Sequence, residues 1–299
     1  MDSSVLFIVW RESIEALLVI GILYSWLNRH PDGARGKKYL GLGVIGGILL
    51  AVMLALSLYG TSYLLSPEAN DIFIAVLTIF ASILIVQMVL WMSKNSKMLK
   101  KNLENDLNRS YEKSSWLGVA IIAAIAIARE GSEIVIFLSA EIAALTSDTT
   151  PQFILTIAVG IVLALLSFLL LQVFNHFIAW KFFFKITAIL LLFLGSSLFL
   201  QGVLSLADIS LENEYLIEHD IMLPDWLFTQ VWDTSGILSD DSAIGSLLTS
   251  FFAYRSKPTY LVLITLAVYW IIVLALFARS NRNSATPKVT HNHTEQAQV

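Results

Sequence analysis

Seven long apolar runs constrain this chain more than any other feature. They cover roughly residues 4–27, 40–65, 72–93, 116–145, 152–177, 182–206 and 259–279. About 20 consecutive apolar residues span the hydrocarbon core of a bilayer as one helix. Several of the runs are long enough to tilt or to extend past it. The predicted fold class is therefore all-α, a polytopic membrane protein with seven transmembrane helices. Composition agrees: hydrophobic residues make up 57 % and charged residues 14 %, against about 25 % charge in a soluble domain. Mean hydropathy is +0.73. There is no cysteine, which excludes disulfides, thiolate metal sites and thiol catalysis. The first run does not read as a cleaved signal peptide, because it begins with Asp2, lacks a basic flank and contains charge.

Basic residues set the orientation. Arg29, Arg35, Lys37 and Lys38 follow the first run, and Lys94, Lys97, Lys100, Lys101, Arg109 and Lys113 follow the third. Lys181 and Lys185 follow the fifth, and Arg279, Arg282 and Lys288 follow the seventh. Outside these loops and the two motifs described below, only Arg255 and Lys257 are left of the 19 basic residues. The positive-inside rule then places the odd loops and the C-terminus in the cytoplasm and the N-terminus outside. The expected location is a plasma membrane, the bacterial inner membrane in particular.

The outward loops are acidic. Loop 207–258 carries Asp208, Glu212, Glu214, Glu218, Asp220, Asp225, Asp233, Asp240 and Asp241. These acids read either as ordinary solvated charge or as a field that gathers cations. Trp226, Trp232 and the apolar run 243–254 predict short helices at the membrane interface.

Against this apolar background, two strings stand out: Arg11-Glu12-Ser13-Ile14-Glu15 and Arg129-Glu130-Gly131-Ser132-Glu133. Both read Arg-Glu-x-x-Glu, in runs one and four. A charge at the centre of a membrane helix costs about 2.5–3.5 kcal/mol, so six unpaired charges cost on the order of 15–20 kcal/mol. That exceeds the roughly 5–15 kcal/mol net stability of a typical protein. On a helix, the first and fifth residues of the motif lie about 40° apart and the two glutamates about 60° apart. Both carboxylates therefore share a face with the arginine beside them. Two facing copies present four carboxylates against two guanidiniums. Carboxylate oxygens suit hard cations, and the lack of Cys or of a clustered Met–His set argues against a soft-metal site. The competing readings are buried ion pairs that only fix packing and a metal-free proton relay.

The motif positions also imply an internal repeat. Residues 1–93 and 116–206 form two three-span units of opposite orientation, a common transporter plan with its site near the midplane. Residues 207–258 form an outer loop and helix seven covers 259–279, so the seven-helix transmembrane unit is 1–279. The polar tail, 280–299, is expected to be a disordered cytoplasmic segment.

Paired Arg-Glu-x-x-Glu motifs on a seven-span, N-out chain resemble the oxidase-dependent high-affinity ferric iron permease family, whose bacterial members are the Efe-type iron permeases. The strings VWDTSGILSDDSAIGSLL and FFAYRSKP in the outer loop are similar to that family as well. The resemblance implies import of ferric iron across the plasma membrane, with Glu12, Glu15, Glu130 and Glu133 as metal ligands and Arg11 and Arg129 in support. It also implies an external ferroxidase or periplasmic iron-handling partner. Iron is then the transported substrate, and neither a cofactor, nor an enzymatic activity, nor a nucleic-acid partner is expected. An Asp-Ala-Ser-Glu type motif found in fungal relatives is not present in the outer loop. Two rivals stay open: transport of lead or another divalent cation, and a membrane metal sensor that binds without flux.

Among other polar residues, Glu141 lies on roughly the face of Glu130 and Glu133 if the helix is continuous. It is either a supporting ligand at the outer mouth or a solvated residue at a helix end. Gln87, Gln172, Asn175, His176 and Gln201 are expected to bond between helices, and Gly43, Gly47, Thr78 and Ser82 to serve close packing. His291 and His293 are not expected to hold metal. The chain has no G-x-x-x-x-G-K-[ST] nucleotide loop.

Overall fold

The structure is a computed structural model, and it describes residues 3–30, 33–95, 116–173, 180–212, 223–240 and 242–285. The segments expected to hold Lys97–Lys113, Asn175, His176, Glu214, Glu218, Asp220, Asp241, His291 and His293 lie outside the described residues.

The described chain is helical, its one extended pairing being an isolated antiparallel bridge between Gln230 and Thr259. In order, the helices are α1 (Ser3–Asn28), α2 (Gly33–Leu64), α3 (Pro67–Asn95), α4 (Leu117–Phe137) and α5 (Ser139–Ala143). They continue with α6 (Thr150–Val173), α7 (Trp180–Glu212), a 3₁₀ turn (Asp225–Phe228), α8 (Ala243–Phe252) and α9 (Tyr260–Ala285). Five of them (α2, α3, α6, α7 and α9) are long and apolar enough to cross a membrane. The helices α1 and α4 are 26 and 21 residues long, but each carries the three charged side chains of its motif.

Several predicted boundaries move. The helix α2 begins at Gly33, so Arg35, Lys37 and Lys38 sit on its first turns and not in a loop. The expected span 116–145 is interrupted at Leu138 (φ −98°, ψ 13°) and resumes as the short α5. The helix α9 runs on to Ala285, so residues 280–285 of the expected disordered tail are helical.

Small residues let the helices approach. A Cβ on Gly43 would lie 2.4 Å from the Ala120 carbonyl oxygen, and one on Gly47 would lie 2.7 Å from Ile127 Cβ and 2.8 Å from the Ala124 carbonyl oxygen. That fixes α2 tightly along α4, in the small-xxx-small manner of membrane helices. The same holds for α3 and α7, where a Cβ on Gly202 would meet Ile79 at 2.5 Å and Ser82 Oγ donates to the Gly195 carbonyl at 2.7 Å. The expected packing roles of Gly43, Gly47 and Ser82 are thus visible as contacts, whereas Thr78 bonds back to Ile74 in its own helix. Gln87, Gln172 and Gln201 lie on exposed faces. Their expected inter-helix bonds do not fit, because small and apolar side chains fill the seams between helices.

The pairing of helices is reciprocal between the halves. The helix α1 packs on α6 as α2 packs on α4, α3 packs on α7, and α1 meets α4. The main core joins Val5, Ile8 and Val9 of α1 with Ile85 and Val89 of α3, Val135 of α4 and Leu191 and Leu194 of α7. Outward faces are apolar, as at Leu49, Leu56, Leu169 and Ile271. A soluble monomer rarely exposes such continuous apolar surface.

Outside this bundle, residues 223–240 and 242–259 fold back on it. Asp240 accepts from the Ser256 backbone N–H at 2.8 Å and from its hydroxyl at 3.0 Å. Ser242 caps α8 by accepting from Gly245 N–H. Phe251 of α8 packs edge-on against Phe7 of α1, with ring centroids 5.4 Å apart. Ser197 of α7 donates to the Thr249 carbonyl at 2.9 Å.

Candidate metal site

The site lies where α1 and α4 meet. An apolar helix with small neighbours supplies the rigid frame, and each motif places its two carboxylates one turn apart on the inner face. One carboxylate oxygen each from Glu12, Glu130 and Glu133 lies within 4.8 Å of the others. Around one first-row cation with metal–oxygen bonds of about 2.0–2.2 Å, only an opposite pair of oxygens stands about 4.0–4.4 Å apart and neighbours stand closer. The three carboxylates must therefore close in on an ion to share it. Among the described residues, Glu12 Oε2, Glu130 Oε2 and Glu133 Oε2 are buried without a hydrogen-bond partner. Buried acceptors are normally satisfied, and a cation satisfies carboxylate oxygens directly.

Glu15, the fourth predicted ligand, is not in that group. Its Oε1 is held by Arg11 Nη2. Arg11 Nη1 lies 2.6 Å from Glu12 Oε1. Arg11 and Glu12 are 1 % and 0 % exposed, so this pair is shut away from solvent. The second motif is looser. Arg129 Nε lies 3.0 Å from Glu133 Oε1 and 3.9 Å from Glu130 Oε1, and Arg129 is 40 % exposed. Ser132 donates to the Arg129 carbonyl and completes the turn. The two copies are identical as strings but differ in environment.

The difference comes from α3. Met92 Sδ and Met88 Sδ lie 3.0 and 3.4 Å from the Arg11 guanidinium nitrogens. Trp91, between them, lies under the Arg129 guanidinium at 4.5 Å from the ring centroid, a cation–π contact. Nothing in the apolar run sets these three residues apart as site residues except the spacing i, i+3, i+4 on one helix.

Glu141 stands apart from the carboxylate group. It lies on α5, beyond the interruption at Leu138, and is exposed. The backbone between Glu130 and Glu141 departs from regular helix at Leu138 (φ −98°, ψ 13°), although i→i+4 bonds continue from Leu138 N–H to the Ile134 carbonyl and from Ile142 N–H to the Leu138 carbonyl.

In the outer segment, Asp233 carries a carboxyl lowered to about 2 from its usual 3.8, first by the Ser235 hydroxyl, then by the Ser235 N–H and by Lys257. Lys257 Nζ lies 3.1 Å from Asp233 Oδ2.

The profile of the iron permease FTR1 family matches residues 3–285. The chain is 26 % identical over 283 residues to the ferrous iron permease EfeU of Yersinia pestis, covering 93 % of this chain and 94 % of that protein. It is 26 % identical over 284 residues to the ferrous iron permease EfeU of Escherichia coli O157:H7, covering 93 % and 96 %. The corresponding protein of Yersinia pseudotuberculosis gives 26 % over 283 residues, covering 93 % of each chain. No solved structure matches the chain. With its apolar helices, this makes the chain a multi-pass membrane protein, and the chain belongs to the iron permease FTR1 family.

Proposed function

We propose that this protein imports iron across the inner membrane through one site shared by its two Arg-Glu-x-x-Glu motifs. The observation that carries this reading is the convergence of Glu12, from the first motif, with Glu130 and Glu133, from the second, within 4.8 Å. Four glutamates face two arginines there, so the site has an acidic excess that pure ion pairing would not need. Buried pairs that only fix packing gain little over apolar residues.

The chain is read as seven spans, the five apolar helices together with α1 and α4, with the N-terminus outside and the C-terminus inside. The reciprocal pairing of α1 with α6, α2 with α4 and α3 with α7 supports two inverted repeats, with α9 added. Iron gathered at the acidic outer face loses water to Glu12, Glu130 and Glu133. Arg11 and Arg129 release carboxylates as the cation arrives, and Glu15 becomes a ligand once Arg11 lets go. A rocking of the repeats then opens the site inward. A cation gains about 2.3 kcal/mol per charge per 100 mV of membrane potential, which drives inward movement. An external ferroxidase or periplasmic iron-handling protein is the expected supplier.

The all-carboxylate group favours ferric iron as the form it holds. A second reading, ferrous import, is favoured by the printed names of the relatives and by the two thioethers beside Arg11. Liposomes containing the protein and an iron-quenched dye test both. Quenching is expected with iron, and the valence is assigned by comparing ascorbate-reduced with citrate-held ferric iron. Flux of lead or another divalent ion without flux of iron contradicts the reading. Binding without any flux makes the protein a sensor. Glu15→Gln and Glu133→Gln should abolish uptake while the folded protein remains in the membrane.

A further inference from the structure

We propose that the thioethers of Met88 and Met92 are iron ligands. With Glu12 and Glu15 they form a second cation position of two oxygens and two sulfurs, next to the three-carboxylate group. The inference rests on the ferrous reading of the iron import proposed above and assigns a role to α3, which carries no motif.

The Arg11 guanidinium marks the position. One of its nitrogens spans Glu12 Oε1 at 2.6 Å and Met88 Sδ at 3.4 Å. The other spans Glu15 Oε1 and Met92 Sδ, the latter at 3.0 Å. Four acceptors, two from α1 and two from α3, thus surround one buried positive group. It is the sulfur atoms that face the charge. A methionine serving only as core filler has no reason to turn its sulfur there, and leucine fills similar volume. The spacing from 88 to 92 puts both sulfurs on one face of α3, one turn apart.

Glu12 belongs to both positions at once: one of its oxygens counts in the carboxylate group while its Oε1 meets the guanidinium. A cation leaving the carboxylate group can therefore exchange with the guanidinium, one positive group replacing another. In the new position it meets thioethers, which suit softer cations and are poor ligands for hard ones. Ferrous iron is accepted there better than manganese or magnesium. The second position acts as a selectivity step after a first position that takes any hard cation.

The test uses the full chain in liposomes and in detergent, with Met88→Leu, Met92→Leu and the double variant. Ferrous iron and manganese compete for uptake, and X-ray absorption at the iron edge reads the ligands of the ferrous-loaded protein. The expected result is a sulfur contribution in the wild type that is lost in the double variant. The preference for ferrous iron over manganese should fall about tenfold in the double variant, from the loss of soft donors. An oxygen-only iron spectrum in the wild type, with an unchanged preference in the variants, overturns the proposal and leaves the methionines as a cradle for Arg11. Glu12→Gln and Glu130→Gln are run alongside. If they abolish uptake while the leucine variants keep the wild-type preference for ferrous iron and an oxygen-only spectrum, this inference fails alone. If they too transport normally, the site itself is wrong.

Discussion

Replacing Arg11 with leucine should destabilise the protein far more than the same change at Arg129, although both arginines open the same five-residue motif. Arg11 is 1 % exposed and bridges a wholly buried Glu12 and a largely buried Glu15. Its removal leaves carboxylates in the interior without their counter-charge, which costs about 3–5 kcal/mol. Arg129 is itself 40 % exposed and its contacts to Glu130 and Glu133 are longer, so its loss costs less, about 1–3 kcal/mol for the buried carboxylate oxygens left without a partner. The central gap is about 2 kcal/mol, roughly 4–8 °C in apparent Tm. Thermal unfolding of both variants in the same detergent, followed by intrinsic fluorescence, measures it. The double variant Arg11→Leu with Glu12→Gln should recover part of the loss, because fewer buried charges are left unpaired. Equal shifts for the two arginines, or a larger one at Arg129, would refute the reasoning.

Other consequences are open to simple measurement. Gly47→Ala forces a methyl into 2.7–2.8 Å contacts with α4, so it should cost about 1–3 kcal/mol by overpacking and lower iron uptake by shifting Glu130 and Glu133. Unfolding and flux measured on one preparation check both effects. Tyr269→Phe removes the donor to the Leu192 carbonyl at 2.8 Å and should cost about 0.5–1.5 kcal/mol with transport retained. The Asp233 carboxyl is depressed to about 2 in the folded protein from 3.8. Its contribution is therefore full above about pH 4 and is lost as pH falls through about 2. Asp233→Asn should be less stable than wild type at pH 7, and the difference should shrink steadily below about pH 4 and vanish only below about pH 2, which thermal scans across this range decide.

Much of the site could be read from the chain because membrane helices leave charge conspicuous. The motif spacing alone gave the shared face of Glu12 with Glu15 and of Glu130 with Glu133. It could not give the inequality of the two copies. That comes from Met88, Trp91 and Met92 on α3, residues that look like filler in an apolar run. The distortion at Leu138 is not legible because neither Pro nor Gly marks it, and the sequence does not show that Glu141 stands exposed beyond it. The start of α2 was placed late for a related reason. Arg35, Lys37 and Lys38 lower the local hydropathy, yet the helix continues through them. Gly43 and Gly47 were legible because close approach of helices needs small residues at that spacing.

The central claim is that one ion is held between the two motifs. Anomalous scattering at the iron edge, from crystals of the full chain soaked with ferric iron, tests it most directly. The account predicts one peak between α1 and α4, bonded to Glu12, Glu130 and Glu133 and lost in Glu130→Gln. Iron bound only at the acidic outer segment, with none between the motifs, would contradict it.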